Sequence, residues 1–107
     1  MIFIAVKFTV RPELSEKFVP LVAEFTDATR QESGNVFFEW SRSVEDPNQF
    51  VLLEGFESPE AGQAHVESEH FKTAMAWISD VFAEPPQVIH VETSAHGWAP
   101  MGEFQST

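Results

Sequence analysis

The sequence predicts an α+β domain of the ferredoxin-like kind: a four-stranded antiparallel sheet with both helices on one face, in the order β-α-β-β-α-β. Three observations carry this. Four short segments rich in β-branched and aromatic residues alternate with two longer segments whose apolar residues recur at helical spacing. The middle two strands are separated only by Glu45-Asp-Pro-Asn48, which is turn chemistry and makes them a hairpin. A chain of 107 residues with 43% apolar side chains builds one core and one domain.

Ile2 to Val10 alternates weakly and reads as the first strand, ended by Arg11-Pro12. Pro12, Glu13 and Glu16 suit the first turns of a helix. Its buried stripe runs Leu14, Phe18, Leu21, Val22, Phe25 and Ala28, with a kink expected at Pro20 and Gly34 expected in the left-handed position after the last turn. Val36 to Ser43 is the second strand and Gln49 to Phe56 the third. Ser58-Pro59-Glu60 is a cap, a proline at the first helical position and an acid, so a helix starts there. Ser68-Glu69 looks like a second cap, so this helix breaks near residue 67 and restarts with Phe71, Ala74, Met75, Ile78 and Phe82 inward. Pro85-Pro86 ends it, Gln87 to Thr93 is the fourth strand, and an apolar, irregular tail (residues 94–107) is expected to pack on the domain or on a partner subunit.

Composition narrows the function classes. Seventeen acidic residues against six basic ones give a net charge of −11, which disfavours nucleic acid and anionic membrane as partners. The absence of cysteine removes disulfides, thiolate nucleophiles and Cys-held metal sites. No apolar run approaches the roughly 20 residues of a membrane span, and Met1 to Val6 is too short for a signal sequence, so a cytoplasmic protein is expected. Eleven phenylalanines and three tryptophans without one tyrosine point to apolar surface that a core, a partner or an aromatic ligand covers. Strand residues of both parities are hydrophobic (Phe37 and Phe38, Val51 and Leu52), so both sheet faces need cover and a homodimer through the open face is expected.

The titratable chemistry is concentrated between residues 54 and 70. Glu54 shares a strand face with Phe50, Leu52 and Phe56, a local conflict with two resolutions. Either it is structural, paired with a helix N–H or with Arg42 across the hairpin, or it is a buried carboxylate poised for proton transfer beside an imidazole. His65, beside the helix break, either caps the structure or meets a ligand. His70, at a helix start, can offer a neutral N–H to a developing oxyanion or sit at an interface. Their five-residue spacing puts them on different faces of a continuous helix, so no metal site is expected. His90 and His96 have no supporting context and are expected at the surface or in a dimer contact. Glu67 and Glu69 read as a solvated face. Trp40 and the phenylalanines suit a core, and equally the wall of a flat apolar pocket.

The segments Glu32-Ser-Gly-Asn35, Asp46-Pro-Asn-Gln-Phe-Val-Leu-Leu-Glu54 and Ala64-His65-Val-Glu-Ser68-Glu-His70-Phe71 make residues 1–93 resemble the antibiotic biosynthesis monooxygenase family of the dimeric α+β barrel superfamily. The resemblance implies a pocket between sheet and helices in each subunit. By match of motif Glu54, His65 and His70 fall on the family's polar pocket positions and are the candidate catalytic residues; Asn35 and Trp40 carry over less closely and, with Phe38, Phe56 and Phe71, are the candidate substrate-binding residues. Family members include cofactor-free oxygenases of quinols and anthrones, haem-degrading enzymes and an isomerase of a phosphorylated sugar. This chain departs from some of them. With no tyrosine, a tyrosine-assisted mechanism does not run unchanged, and Phe38 stands where many relatives carry an aromatic hydroxyl. The first strand offers Val6-Lys7-Phe8-Thr9 and not the asparagine of the haem-degrading branch, and Lys72 is the lone cation near the motif helices where a phosphate would need several. The expected activity is therefore a cofactor-independent monooxygenase that uses O2 on a small electron-rich aromatic, needing neither metal nor flavin. The alternatives are a proton-transfer isomerase on the same groups, or a dimeric binding or stress-response module.

Overall fold

The computed structural model describes residues 1–104. Four strands, β1 (Ile2–Thr9), β2 (Asn35–Arg42), β3 (Gln49–Phe56) and β4 (Gln87–Glu92), form one antiparallel sheet in the order β2-β3-β1-β4. The predicted βαββαβ order and ferredoxin-like topology are thus observed, with β1 at the centre between β3 and β4. Register decides which residues share a face. Ile4 lies opposite Glu54 on one side and His90 on the other, and Glu54 lies opposite Phe38, so Phe38, Glu54, Ile4 and His90 form one row across all four strands on the helix-covered face.

The first helical segment is divided more finely than its apolar stripe suggests. A 3-10 turn (Pro12–Lys17) leads into α1 (Phe18–Leu21), and α2 (Ala23–Arg30) follows after a break at Val22. Pro20 has no N–H to offer the carbonyl of Glu16, so the ladder is already interrupted just before the break. Gly34 is not left-handed; among the described residues the positive-φ glycine is Gly97. The reason for a glycine at 34 is close approach, because a Cβ there would collide with the Cβ of Ala61.

The second helical segment follows the sequence closely. α3 (Pro59–Val66) starts at Ser58, whose Oγ accepts from the Ala61 N–H at 3.1 Å, and α4 (Glu69–Met75) starts at Ser68, whose Oγ accepts from the Phe71 N–H at 3.2 Å. The inward stripe then continues through a 3-10 turn (Ile78–Val81) and not through more helix.

The core lies between this layer and the sheet. Val10, Phe18, Val22, Phe50, Ile78 and Val81 form one cluster and Phe8, Phe25, Phe38, Leu52 and Ala74 another, with Trp40 and Phe82 touching both. The opposite face of the sheet carries Phe3, Phe37, Leu53, Ile89 and Val91; Trp98 from the tail stacks on Phe37, ring centroids 5.5 Å apart, while staying largely exposed. All six residues of β4 are exposed. Among the described residues no helix is long and apolar enough to cross a membrane.

Candidate functional site

Glu54 is buried, with 8% of its surface exposed, because its place in the β3 alternation turns it under α3 and α4. Neither structural partner suggested by the sequence is there. Arg42 lies opposite Phe50, four residues back along β3, and spends its guanidinium on the Glu16 carboxylate at 2.7 Å and the Pro47 carbonyl at 2.6 Å. The group nearest in charge to Glu54 is His65, whose Nε2 is 3.9 Å from Glu54 Oε1.

His65 is organised from its other side. Its Nδ1 is 2.8 Å from Glu32 Oε2, and the same oxygen is 2.5 Å from His70 Nε2. Three separate segments meet here: the loop after α2, the last turn of α3 and the first turn of α4. The break between α3 and α4 is what makes this possible. On a continuous helix the two imidazoles would diverge, whereas the bend at Glu67 and Ser68 turns both towards one carboxylate. The premise behind the expected absence of a metal-capable pair therefore does not hold. Gly34 has its part too, since its contact with Ala61 draws the Glu32 loop against α3.

An ionised carboxylate only accepts hydrogen bonds, so both ring nitrogens facing Glu32 donate. For a neutral His65 this puts the proton on Nδ1 and leaves the Nε2 lone pair pointing towards Glu54. The separation of 3.9 Å is too long for a direct hydrogen bond. It is well suited to a third oxygen, which can stand about 2.8 Å from each atom. The rings of Phe56, Phe71, Phe25 and Phe38 surround His65 at centroid distances of 4.9, 5.2, 5.8 and 5.9 Å, so the imidazole is held on every side but this one.

Burial, and then the nearby Glu32 charge, push the Glu54 carboxyl up from the usual 4.5 to about 7. The folded state therefore holds this proton more tightly than the unfolded chain. Between pH 4.5 and about 7 stability is lost as pH rises, and above that window the buried charge costs about 3 kcal/mol. Glu54→Gln removes the cost. The variant is expected to match the wild type in urea unfolding at pH 4 and to exceed it by about 2–3 kcal/mol at pH 8. Equal stability at pH 8 would contradict a buried, proton-holding Glu54.

The cavity these groups face has a volume of about 780 Å³ and is almost wholly apolar. Ile2, Ile4, Val6, Phe8 and Leu52 make its floor, Trp40, Phe56 and Phe82 part of its wall, and Phe71, Met75 and Val66 its helical side. Glu54, His65, Gln63 and His90 supply the polar groups. Trp40 is fixed in place by donating its indole N–H to Thr26 Oγ1 at 2.9 Å.

Of the residues predicted from the sequence, Glu54, His65, Trp40, Phe56 and Phe71 come together here. Three others lie outside the cavity lining. His70 points at Glu32, so it positions that carboxylate and offers no N–H to an oxyanion in the cavity. Phe38 is 1% exposed and stands behind Trp40 and His65 as core. Asn35 sits at the irregular start of β2, where its amide N–H donates to the carbonyls of Phe37 and Gly55 and ties down the bulge. Two residues of this site escaped sequence reasoning. Glu32 was visible as the acid ahead of the turn glycine but had no evident partner. His90, expected at the surface, is exposed yet lines the cavity in the same row as Glu54.

Residues 1–77 match the sequence model of the family described as antibiotic biosynthesis monooxygenase. The candidate monooxygenase YcnE of Bacillus subtilis (strain 168) is 29% identical over 94 residues, which cover 88% of this chain and 99% of YcnE. Among solved structures, a candidate antibiotic biosynthesis monooxygenase from Nitrosomonas europaea superposes with a TM-score of 0.81 at 26% identity, covering 89% of this chain and all (100%) of that one. A conserved protein from Methanosarcina mazei Go1 gives a TM-score of 0.81 at 22% identity, covering 87% and 92%, and shows the shared fold alone. With the family match extending over residues 1–77, more than half its length, the chain belongs to the antibiotic biosynthesis monooxygenase family.

Proposed function

We propose that this family member is a cofactor-independent monooxygenase that oxidises a small electron-rich aromatic, of the quinol or anthrone type, with O2. One observation carries the reading: a carboxylate-anchored imidazole presents a ring nitrogen, beside a proton-holding glutamate, into a cavity lined mostly by hydrocarbon. A flat aromatic fits such walls, and its hydroxyl fits between His65 Nε2 and Glu54 Oε1.

His65 Nε2 takes the phenolic or activated C–H proton, and Glu32 stabilises the imidazolium that results. The apolar walls exclude water, so the phenolate or carbanion is held as a strong one-electron donor. It passes an electron to O2, and the substrate radical and superoxide combine to form a C–O bond. Glu54 is placed to protonate the peroxide and regains its proton from the His65 imidazolium; the oxygenated carbon then loses its remaining hydrogen as a proton while the O–O bond breaks, and that proton joins the departing hydroxide. One oxygen atom stays on the ring as a carbonyl and the other leaves as water, so substrate and O2 account for every atom and electron. The substrate carries the redox chemistry, and the protein moves protons and orients the ring.

The test is O2 uptake by metal-stripped protein with a panel of hydroquinones and anthrones, against a protein-free blank. Uptake well above autoxidation is expected. No uptake from compounds that still quench Trp fluorescence would overturn the oxygenase and favour a proton-transfer isomerase or a binding module.

The functional unit in this reading is a homodimer joined through the outer sheet face. In support, Phe3, Phe37, Leu53, Ile89 and Val91 make that face apolar, and Trp98 covers only part of it. Light scattering at micromolar concentration is expected to give twice the chain mass of 12.1 kDa, and a monomer mass would refute the dimer.

A further inference from the structure

Glu32, His65 and His70 bring three metal-binding atoms within 4.8 Å of one another. We infer that this trio binds a divalent transition metal of the zinc type, and that filling it disables the base of the reaction proposed above. The second half of the inference rests on that reading; the first does not.

The donor set is two imidazole nitrogens and a carboxylate oxygen, which suits Zn²⁺ or Co²⁺ better than the all-oxygen preference of Mg²⁺ or Ca²⁺. The geometry is close to what a metal needs. Bonds of about 2.1 Å at tetrahedral angles set neighbouring donor atoms about 3.4 Å apart. Glu32 Oε2 now stands 2.8 and 2.5 Å from the two nitrogens and withdraws by less than about 1 Å to admit the ion, while the two nitrogens, within 4.8 Å of each other, close by up to about 1.4 Å. The side chains of His70 and Glu32 keep 25% and 16% exposure, which leaves an entry path and room for a water as fourth ligand. The net charge of −11 also raises the concentration of divalent cations near the chain.

The position of the site gives it a consequence. Of its three residues only His65 lines the cavity, so the metal lies behind the imidazole and not against the substrate. In the metal-free protein a neutral His65 that donates from Nδ1 to the ionised Glu32 keeps its Nε2 lone pair facing the cavity. A metal on Nδ1 leaves Nε2 as the one nitrogen that can carry the ring proton. The proton shifts from one side of the ring to the other, none is lost, and the lone pair that would accept the substrate proton is gone. The site is therefore an inhibitory switch on the base.

The full chain is titrated with Zn²⁺ against a chromophoric chelator, and side-chain ¹H–¹⁵N spectra of the histidines are recorded with and without the ion. One equivalent per chain is expected, bound at least tenfold more weakly by Glu32→Ala and His70→Ala and equally well by His96→Ala. His70→Phe, which keeps an aromatic ring in place, serves if the alanine variant does not fold. The spectra are expected to show His65 changing from the Nδ1–H to the Nε2–H tautomer, a readout that needs no turnover. Unchanged affinity in the Glu32 and His70 variants, or no tautomer change, overturns the site. Oxygen uptake that persists at saturating Zn²⁺ overturns the switch alone. A tautomer change in a protein that takes up no O2 without metal supports the site and removes the oxygenase instead.

Discussion

His65→Ala is expected to lower kcat for O2 uptake by at least a hundredfold while leaving KM within a fewfold of wild type. General-base catalysis is worth about 10²–10⁴ in rate, and no other group lining the cavity has the same anchoring. His90 shares the cavity but stands across β1 from Glu54, two strand spacings away, and is exposed. Binding is expected to survive because the cavity walls that hold a flat ring are hydrocarbon and stay in place. The substitution also removes a ring packed among four phenylalanines, so rates are compared at a temperature where far-UV circular dichroism shows both proteins folded. A variant that keeps more than a tenth of wild-type kcat would move the base elsewhere, with Glu54 next to be tested.

The largest loss of stability is expected from Phe18→Ala. Phe18 has no exposed surface, and its ring lies 4.7 Å from Phe50, 5.2 Å edge-on to Trp40 and 6.3 Å from Phe8. It joins the short α1 to three strands at once. Truncation leaves a ring-sized void among rigid aromatic neighbours that have little freedom to collapse, and such changes cost about 3–5 kcal/mol. Against a total of about 5–15 kcal/mol for a domain of this size, that is a large fraction. The urea midpoint is expected to fall accordingly, whereas Phe104→Ala, on a ring 81% exposed, is expected to leave it almost unchanged. A loss below about 1.5 kcal/mol for Phe18→Ala would mean that α1 packs less tightly than its burial implies.

What was legible in the sequence was whatever depends on neighbours along the chain. The bounds of β3, both serine caps and the inward turn of Glu54 follow from alternation and from cap chemistry within three or four residues. The failures have a common cause. Glu32 meets His65 and His70 across 33 and 38 residues, a contact that needs Gly34 to settle on Ala61 before it exists. His90 reaches the cavity only through the pairing of β1 with β4, almost the full length of the chain apart. Asn35 was readable as a turn residue, but its carbonyl partners are set by a bulge that no local pattern announces. The hydrophobic stripe of the first helical segment placed Phe18, Val22 and Phe25 inward correctly, but Leu21 is 43% exposed and Thr26 and Thr29 are buried in addition. The continuity was wrong, because a stripe is indifferent to whether α1 and α2 are joined.

The exposure of β4 sets the order in which the structure comes apart. In the single chain it is an edge strand of six residues held by β1 alone, with Val88 and Ile89 more than 60% exposed, so little apolar burial opposes its release until a partner covers Ile89 and Val91. Local opening of this kind is lower in free energy than global unfolding and proceeds without it. When β4 lifts, Val88 and His90 leave the cavity wall together while Glu54, His65 and Glu32, on other elements, keep their places. Amide hydrogen exchange is therefore expected to be faster in β4 than in the elements that hold the acid–base groups, and the width of the cavity is expected to follow that edge.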